Sequence, residues 1–285
     1  MYAPALPLPI DPLLPDYVRA SGGVRLRLGR IGDRTMRLEV AESGGYRARF
    51  PTSHDGRCEA VLINTAGGMA GGDRARTEIA LDAGAQAVVT TQAAEKIYRS
   101  QGSDTQVDTE ITVASGAELA WLPQETILFS GARLARSLNV DLAASSSFVA
   151  CETLYFGRAA MGEVLLHGSL HDRWRIRREG RLVFAEDLRL DGAIETTLRR
   201  KAVGQGARAV STVLATAPEA TGWLDEIRAF LIEDPAFSRV EAAAGAHEGF
   251  LLIRLLGGDA QALRRALVML LRQVTGRALP RTWSI

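Results

Sequence analysis

From about residue 24 to residue 200, apolar and polar residues alternate with a period of two. Met36, Leu38 and Val40 alternate with Arg37 and Glu39. Val107, Thr109, Ile111 and Val113 alternate with Asp108, Glu110 and Thr112, and Leu138, Val140 and Leu142 with Asn139 and Asp141. Successive side chains of a strand point to opposite faces, so each run predicts a β-strand with one face in a core and one in water. Gly and Ser clusters punctuate the runs, and no stretch of helical period interrupts them. The stretch Leu81–Gln92 aligns with Val113–Gln124, and Leu142–Thr153 follows in the same phase. Each unit is a strand end, a tight turn of small residues and an apolar strand. Such a period predicts stacked units that share one continuous core.

The pattern changes near Thr221. Trp223, Leu224, Ile227, Phe230 and Leu231 fall on one helical face. Thr221 is placed to cap it, Asp225 and Glu226 lie in the first turn, and Pro235 stands beyond the end. Strand-like runs follow at 239–243 and 250–256. A second helix is predicted from the cap Asp259 through Leu263, Leu267, Leu270, Leu271 and Val274 to the stop Gly276. The fold class expected is mainly β, with stacked sheets or β-hairpin repeats and a small C-terminal α+β region carrying two helices. Three parts are expected: an N-terminal arm over 1–20, a strand-rich main region over 21–215, and residues 216–285 packed on it as one continuous unit. The helices are expected near 221–233 and 259–275.

Composition narrows the partners. The formal net charge is +1, whereas phosphate backbones call for a basic excess or stripe; nucleic acid is not expected. Cys58 and Cys151 are the only cysteines, far apart and in no metal-type spacing, which suits a reducing cytoplasm. The Pro-rich start has no signal-peptide pattern, and no window is apolar over the length of a bilayer span.

Three segments stand out. Gly67-Gly68-Met69-Ala70-Gly71-Gly72-Asp73 is Gly-rich, but a phosphate loop needs a following helix N-terminus and usually a Lys-Ser/Thr pair. Here a strand-like run, residues 76–81, follows instead. Glycine pairs also permit positive φ and close backbone approach, so the segment is an elaborate turn or a surface where a partner packs. The second runs from Thr90 to Ser100 and contains Glu95, Lys96, Tyr98 and Arg99; these read first as structural polar residues. The third runs from Trp121 to Ala132 and places Gln124 and Glu125 inside an apolar stretch. A carboxylate there must be paired, protonated or bound to a cation. Glu152 and Glu186 raise the same question.

Together these segments resemble the UreD/UreH family of urease accessory proteins. That family shows a Gly-Gly-x-x-Gly-Gly-Asp loop, then a Thr-Thr…Lys-x-Tyr-Arg-Ser segment, then Trp-Leu-Pro-Gln-Glu running to Gly-Ala. They fall in that order at Gly67–Asp73, Thr90–Ser100 and Trp121–Ala132, and Gly157-Arg158 and Pro280-Arg281-Thr282-Trp283 are similar features. Glu95 departs from the family, which commonly has a small residue there. The resemblance implies a mostly β, non-enzymatic subunit that binds UreF-type and UreG-type accessory proteins and docks on urease apoprotein. Nickel would be carried transiently through an internal passage, with no tightly bound cofactor. It also makes Gly67, Gly68, Gly71, Gly72, Asp73, Lys96, Tyr98, Arg99, Trp121, Gln124 and Glu125 partner or structural positions.

Asp73, Glu95, Glu152 and Glu186 are the acids expected along a polar route for the metal. Nickel accepts carboxylate and water oxygens, and weak multi-site contact suits movement. The competing expectation is that these acids cap turns or pair with arginines such as Arg74, Arg99, Arg158 and Arg189. The histidines suggest no cage: His167 and His171, four apart on a strand, would stand about 13 Å apart at ~3.3 Å per residue. The alternative function is a β-rich hydrolase using two carboxylates, although nothing in the sequence fixes such a pair.

Overall fold

The computed structural model describes residues 19–53, 55–158, 161–217 and 219–284. The expected arm therefore lies almost wholly outside the described residues. Among the described residues, the strands β1 (Ser21–Ile31), β2 (Arg34–Ser43), β3 (Tyr46–Arg49), β4 (Cys58–Asn64), β5 (Arg74–Leu81), β6 (Gln86–Thr91), β7 (Glu95–Ile97), β8 (Thr105–Val113), β9 (Glu118–Leu122), β10 (Thr126–Leu128), β11 (Arg133–Leu142), β12 (Ser147–Phe156), β13 (Gly168–Arg178), β14 (Arg181–Gly192), β15 (Ala209–Thr216), β16 (Glu241–His247) and β17 (Phe250–Gly257) make two large sheets. The first sheet runs β14-β13-β11-β8-β5-β1-β2 and the second β16-β17-β15-β12-β9-β6-β4-β3.

The repeat in the sequence is a stack of coils. Each unit crosses from the first sheet to the second through a turn of small residues: β5 to β6, β8 to β9, β11 to β12. Its two strands do not pair with each other as a hairpin would. They pair in parallel with the equivalent strands of the next coil, so Leu81 lies beside Val113 and Val113 beside Leu142 in one sheet. Gln86 lies beside Glu118, and Glu118 beside Ser147, in the other. The turn glycines Gly84 and Gly116 have φ of +67° and +66°, a conformation that costs glycine little; the third turn uses serines. After β6 and β9 the chain bends at residues 92–94 and 123–125. It then re-forms the short parallel strands β7 and β10, and β10 pairs with the second half of β12.

Three apolar clusters hold this together. Leu26, Leu28, Ile79, Leu81, Ile111, Val113, Leu138, Val140, Phe148 and Trp174 fill the space between the sheets near the turns. Met69, Ile97, Leu128, Leu134 and Leu170 fill the opposite end. The outer face of the second sheet is buried too: Cys151, Val213, Ile253 and Leu255 pack under helices α2 (Leu224–Glu233) and α3 (Ala260–Thr275) through Ile227, Leu231, Leu263, Leu267, Leu270, Leu271 and Val274.

Asp259 caps α3, its Oδ1 accepting from the N–H groups of Gln261 and Ala262, and Gly276 ends it at φ +61°. Thr221 does not cap α2. A 3-10 turn, Ala220–Trp223, runs straight into that helix and leaves Trp223 at the N-cap position without a side-chain cap. The first following strand begins at Glu241, two residues later than the pattern suggests, because a second 3-10 turn, Pro235–Phe237, takes up the chain. The main region also holds one short helix, α1 (Ile194–Arg199), whose Ile194 and Leu198 close the end of the stack. Strand β2 departs most from the period-two reading. Met36, Leu38 and Val40 are 46%, 46% and 37% exposed, because β2 is an edge strand and its register with β1 slips between Arg27 and Leu28. That slip puts neighbouring apolar side chains on opposite faces.

Candidate functional site

The bends after β6 and β9 leave a cavity of about 310 Å³ between the sheets. Its rim carries the exposed residues Gly67, Gln92, Ala93 and Lys96, and its inner end carries the buried side chains of Arg136 and Glu152. The three sequence segments that were far apart in the chain meet on it. Gly67 and Met69, Thr91 through Ile97, and Trp121 through Thr126 (apart from Leu122 and Glu125) all contribute to its wall.

The Gly-rich segment is held against β7. Met69 N–H donates to the Lys96 carbonyl at 2.7 Å, and Tyr98 N–H donates to the Met69 carbonyl at 2.8 Å. The glycines are there for closeness. A Cβ on Gly68 would stand 2.6 Å from the Tyr98 ring, and one on Gly72 3.0 Å from the Arg19 side chain. Of the two uses of glycine expected in this segment, positive φ and close approach, Gly71 serves the second, since it does not occupy the left-handed region. A Cβ on it would meet Ser100 Oγ at 2.0 Å and the Ser103 carbonyl at 2.6 Å. Positive φ belongs to Gly67 (+74°), Gly68 (+156°) and Gly72 (+93°). Asp73 locks the turn: its carboxylate accepts from Ala70 N–H at 2.7 Å and from Ala20 N–H at 2.9 Å.

At the inner end lies a group of three charges. Arg136 (β11) and Asp172 (β13) are register partners, and the guanidinium donates to both Asp172 oxygens, Nε to Oδ1 at 3.1 Å and Nη2 to Oδ2 at 2.6 Å. Glu152, across the core on β12, brings Oε2 to 2.6 Å from the same Nη2. That contact is not aligned as a hydrogen bond, so Oε2 has no hydrogen-bond partner. Its other oxygen accepts from Trp121 Nε1 at 3.4 Å, and Thr126 Oγ1 takes Arg136 Nη1 at 3.3 Å. Two carboxylates thus share one cation. Burial pushes the Glu152 carboxyl up to about 7, with Arg136 opposing and the Asp172 charge reinforcing the rise. Nearer the rim, both Glu95 oxygens accept from Asn64 Nδ2, at 3.2 and 3.0 Å. Burial raises Glu95 as well, against the pull of Asn64 and Lys96.

Of the four acids expected along a route, the structure brings two, Glu95 and Glu152, to one cavity. Asp73 faces its own turn. Glu186, on β14, reaches 2.5 Å from Arg254 of β17 and ties the edge of the first sheet to the second. Glu125 pairs with Arg264 of α3 and accepts from Tyr155 Oη at 3.2 Å. Glu152, Glu186 and Glu125 therefore pair with arginines, but with Arg136, Arg254 and Arg264 rather than with Arg74, Arg99, Arg158 or Arg189. Gln124 bridges the bends, its N–H donating to Thr91 Oγ1 at 2.8 Å. The C-terminal segment clamps both: Trp283 Nε1 donates to Thr90 Oγ1 and the Leu122 carbonyl, each at 3.2 Å. His171 pairs with Asp187 on the outer face of the first sheet, away from the cavity.

The sequence reading missed Arg136, Asp172 and Asn64. Arg136 and Asp172 had a signal. Arg136 occupies the inward phase between Leu134 and Leu138, as Asp172 does between Leu170 and Trp174.

A model of the family described as "UreD urease accessory protein" matches residues 20–284. Among named relatives, "Urease accessory protein UreD" of Rhodopseudomonas palustris (strain BisB18) is 47% identical over 267 residues, covering 93% of this chain and 94% of that protein. The protein of the same name from Azorhizobium caulinodans is 45% identical, covering 95% and 98%. "Urease accessory protein UreD 1" of Methylobacterium radiotolerans is 45% identical along the whole of both chains. With the motif segments gathered on one cavity and the match running through nearly every described residue, the chain belongs to the UreD family of urease accessory proteins.

Proposed function

We propose that this chain is a non-catalytic maturation subunit that supports nickel insertion into urease apoprotein, in a cytoplasmic complex with UreF-type and UreG-type proteins. In this reading the cavity is part of the path taken by nickel, which is cargo and is not retained. The observation that carries the proposal is the convergence of the three family segments on one cavity whose wall holds Glu95 at the rim and Glu152 at the inner end. Both carboxylates are only partly committed, Glu95 to a neutral amide and Glu152 to a guanidinium that Asp172 already holds with two bonds. Oxygen donors spaced along a wall, rather than gathered into a cage, suit an ion that must leave again. The hydrolase alternative gains nothing from this geometry. The carboxylate pair at the inner end of the cavity, Asp172 and Glu152, is tied to one buried guanidinium instead of flanking an open substrate cleft.

The test is a Glu95→Gln/Glu152→Gln double variant expressed with urease and its accessory proteins in place of the wild type. The expected outcome is an assembled complex with urease that is present but poor in nickel, read by metal analysis. Normal nickel content in that urease would remove the cavity from the path. Normal nickel content after deletion of the whole gene would remove the maturation role itself.

A further inference from the structure

At the corner where each coil returns to the first sheet, successive coils present one ladder of side chains. The Tyr98 ring packs edge-on against Phe129 with centroids 5.1 Å apart. The Arg158 guanidinium, from the next coil, lies 4.3 Å from the Phe129 ring centre. Lys96 and Arg99 flank the ladder and are exposed. Of the carboxylates nearby, Glu163 is taken by Arg158 at 2.7 Å and Asp104 by Arg133 at 2.8 Å, while Glu95, next to Lys96, turns to the Asn64 amide. Among the described residues, Lys96 and Arg99 make no ion pair. Beside them, Gly131 N–H donates to the His167 carbonyl, which brings the loop after β12 against the same corner. Two of that loop's apolar side chains, Met161 and Leu166, are 73% and 58% exposed.

We propose that this corner is a docking surface for an acidic peptide segment of a partner protein, one that also carries apolar side chains to cover Met161 and Leu166. The argument is complementarity. Exposed cations outside any ion pair, beside exposed apolar side chains and half-buried aromatic rings, match carboxylates interspersed with apolar residues, and a cation at a rim chiefly sets encounter rate and salt dependence. The rung geometry supplies rigidity: Tyr98 Oη donates to the Gly67 carbonyl at 3.1 Å, and Gly68 and Gly131 seat Tyr98 and Arg99 closely. The ladder therefore needs little ordering on binding. Nucleic acid is the poorer fit, because the chain's net charge is only +1 and these two cations do not extend into a stripe. Lys96 also stands on the cavity rim, so a segment docked here would sit beside the mouth. The inference rests on the proposed function only in that an accessory protein has protein partners.

The test uses the purified full chain and a short fluorescein-labelled peptide of glutamate and aspartate around a Leu-Phe pair, read by anisotropy. A neutral Gln/Asn version of the peptide and a single-stranded RNA oligonucleotide serve as competing probes. The expected result is that the acidic peptide binds, that added salt weakens it, and that Lys96→Glu/Arg99→Glu lowers its affinity by about tenfold or more. Met161→Ser/Leu166→Ser should also weaken binding while leaving the salt dependence unchanged; it alters only exposed side chains and keeps the question open if the charge variant folds poorly. Unchanged affinity in both folded variants, equal binding of the neutral peptide, or tighter binding of the RNA would each overturn the proposal. Urease nickel content in a deletion strain is a separate readout, so loss of the maturation role and loss of this surface are distinguishable.

Discussion

Replacing Arg136 with methionine strikes the one cation at the inner end of the cavity. Met has nearly the right length and no charge, so the packing change is small and the electrostatic change is large. Asp172 loses both of its hydrogen bonds, and Glu152 loses its only charge partner. Both acids are about 6% exposed, so water cannot replace the guanidinium. Removing one side of a buried pair costs about 3–5 kcal/mol, which lowers the melting temperature by roughly 6–20 °C for a chain somewhat larger than 250 residues. Glu152→Gln is the control. It leaves Arg136 and Asp172 as a balanced pair and removes the surplus carboxylate, so its cost is about 1 kcal/mol or less. Asp172→Asn should fall between, since it breaks the two aligned bonds but leaves Arg136 with Glu152. The assay is thermal and urea unfolding of the three variants at one pH. If Arg136→Met unfolds as late as Glu152→Gln, the guanidinium is not what makes the two buried acids tolerable, and the account of this site fails.

Glu152 also gives a pH signature. Its folded-state value, raised from the ordinary 4.5 to about 7, means that the folded chain holds the proton more tightly, so its stabilising contribution is complete below about pH 4.5 and is lost as pH rises through about 7. Wild type should therefore lose stability relative to Glu152→Gln between about pH 4.5 and about 7 and level off above that, with a slope of up to about 1.4 kcal/mol per pH unit; a pH-independent difference would refute it. Gly71→Ala should destabilise by about 1–3 kcal/mol through contact with Ser100 and the Ser103 carbonyl, and Gly71→Val by more, whereas Gly116→Ala should cost only the strain of its positive φ; equal effects in unfolding midpoints would show that closeness does not matter at Gly71. Trp283→Phe should cost about 1–3 kcal/mol through the unsatisfied Thr90 and Leu122 groups and raise amide exchange at the two bends; unchanged exchange there would show that the C-terminal segment does not clamp them. Asp259→Ala should lower stability by about 0.5–2 kcal/mol, measured by urea unfolding, as expected for loss of a helix cap.

The legible parts of this protein were those where local pattern and burial agree. The coil repeat was readable because Leu81, Val113 and Leu142 close equivalent strands, and because a turn of small residues is nearly the only chemistry that lets a chain switch sheets so tightly. Helix α3 was readable to its ends, since Asp259 and Gly276 do locally what helix ends require. Strand β2 was misleading because period two reports a strand without reporting whether a second sheet covers it. Thr221 failed as a cap because the chain had already begun to coil at Ala220. The site was half legible. Its segments were visible as unusual sequence, but their convergence depends on register between coils, which no local window contains. The ion-pair partners are long-range for the same reason: Arg264 is 139 residues from Glu125.

The cavity itself follows from a gradient in side-chain size along the coils. In a parallel stack, the inward positions of neighbouring strands line up in rows, so the width of the interior is set row by row. Near the turns, the rows in the first sheet hold Ile79 with Ile111 and Leu81 with Val113, and the interior is filled. Toward the other end, the corresponding rows hold Ala75 with Val107 and Thr77 with Thr109, which cannot reach the opposite sheet. All four of these line the cavity. The next rung continues the Ala75–Val107 row with Arg136 and then Asp172. Charge thus enters the core in the row that small residues have already opened. A guanidinium at the Ile111 level would displace packed apolar groups, whereas at the Val107 level it meets space, Thr126 and Glu152. The unfilled volume and the buried charges are therefore one feature of the sequence, written as small and polar residues in the inward phase of successive strands. The glycines of the first segment and the Gln124 and Trp283 contacts then fix the bends at the place where that volume reaches the surface.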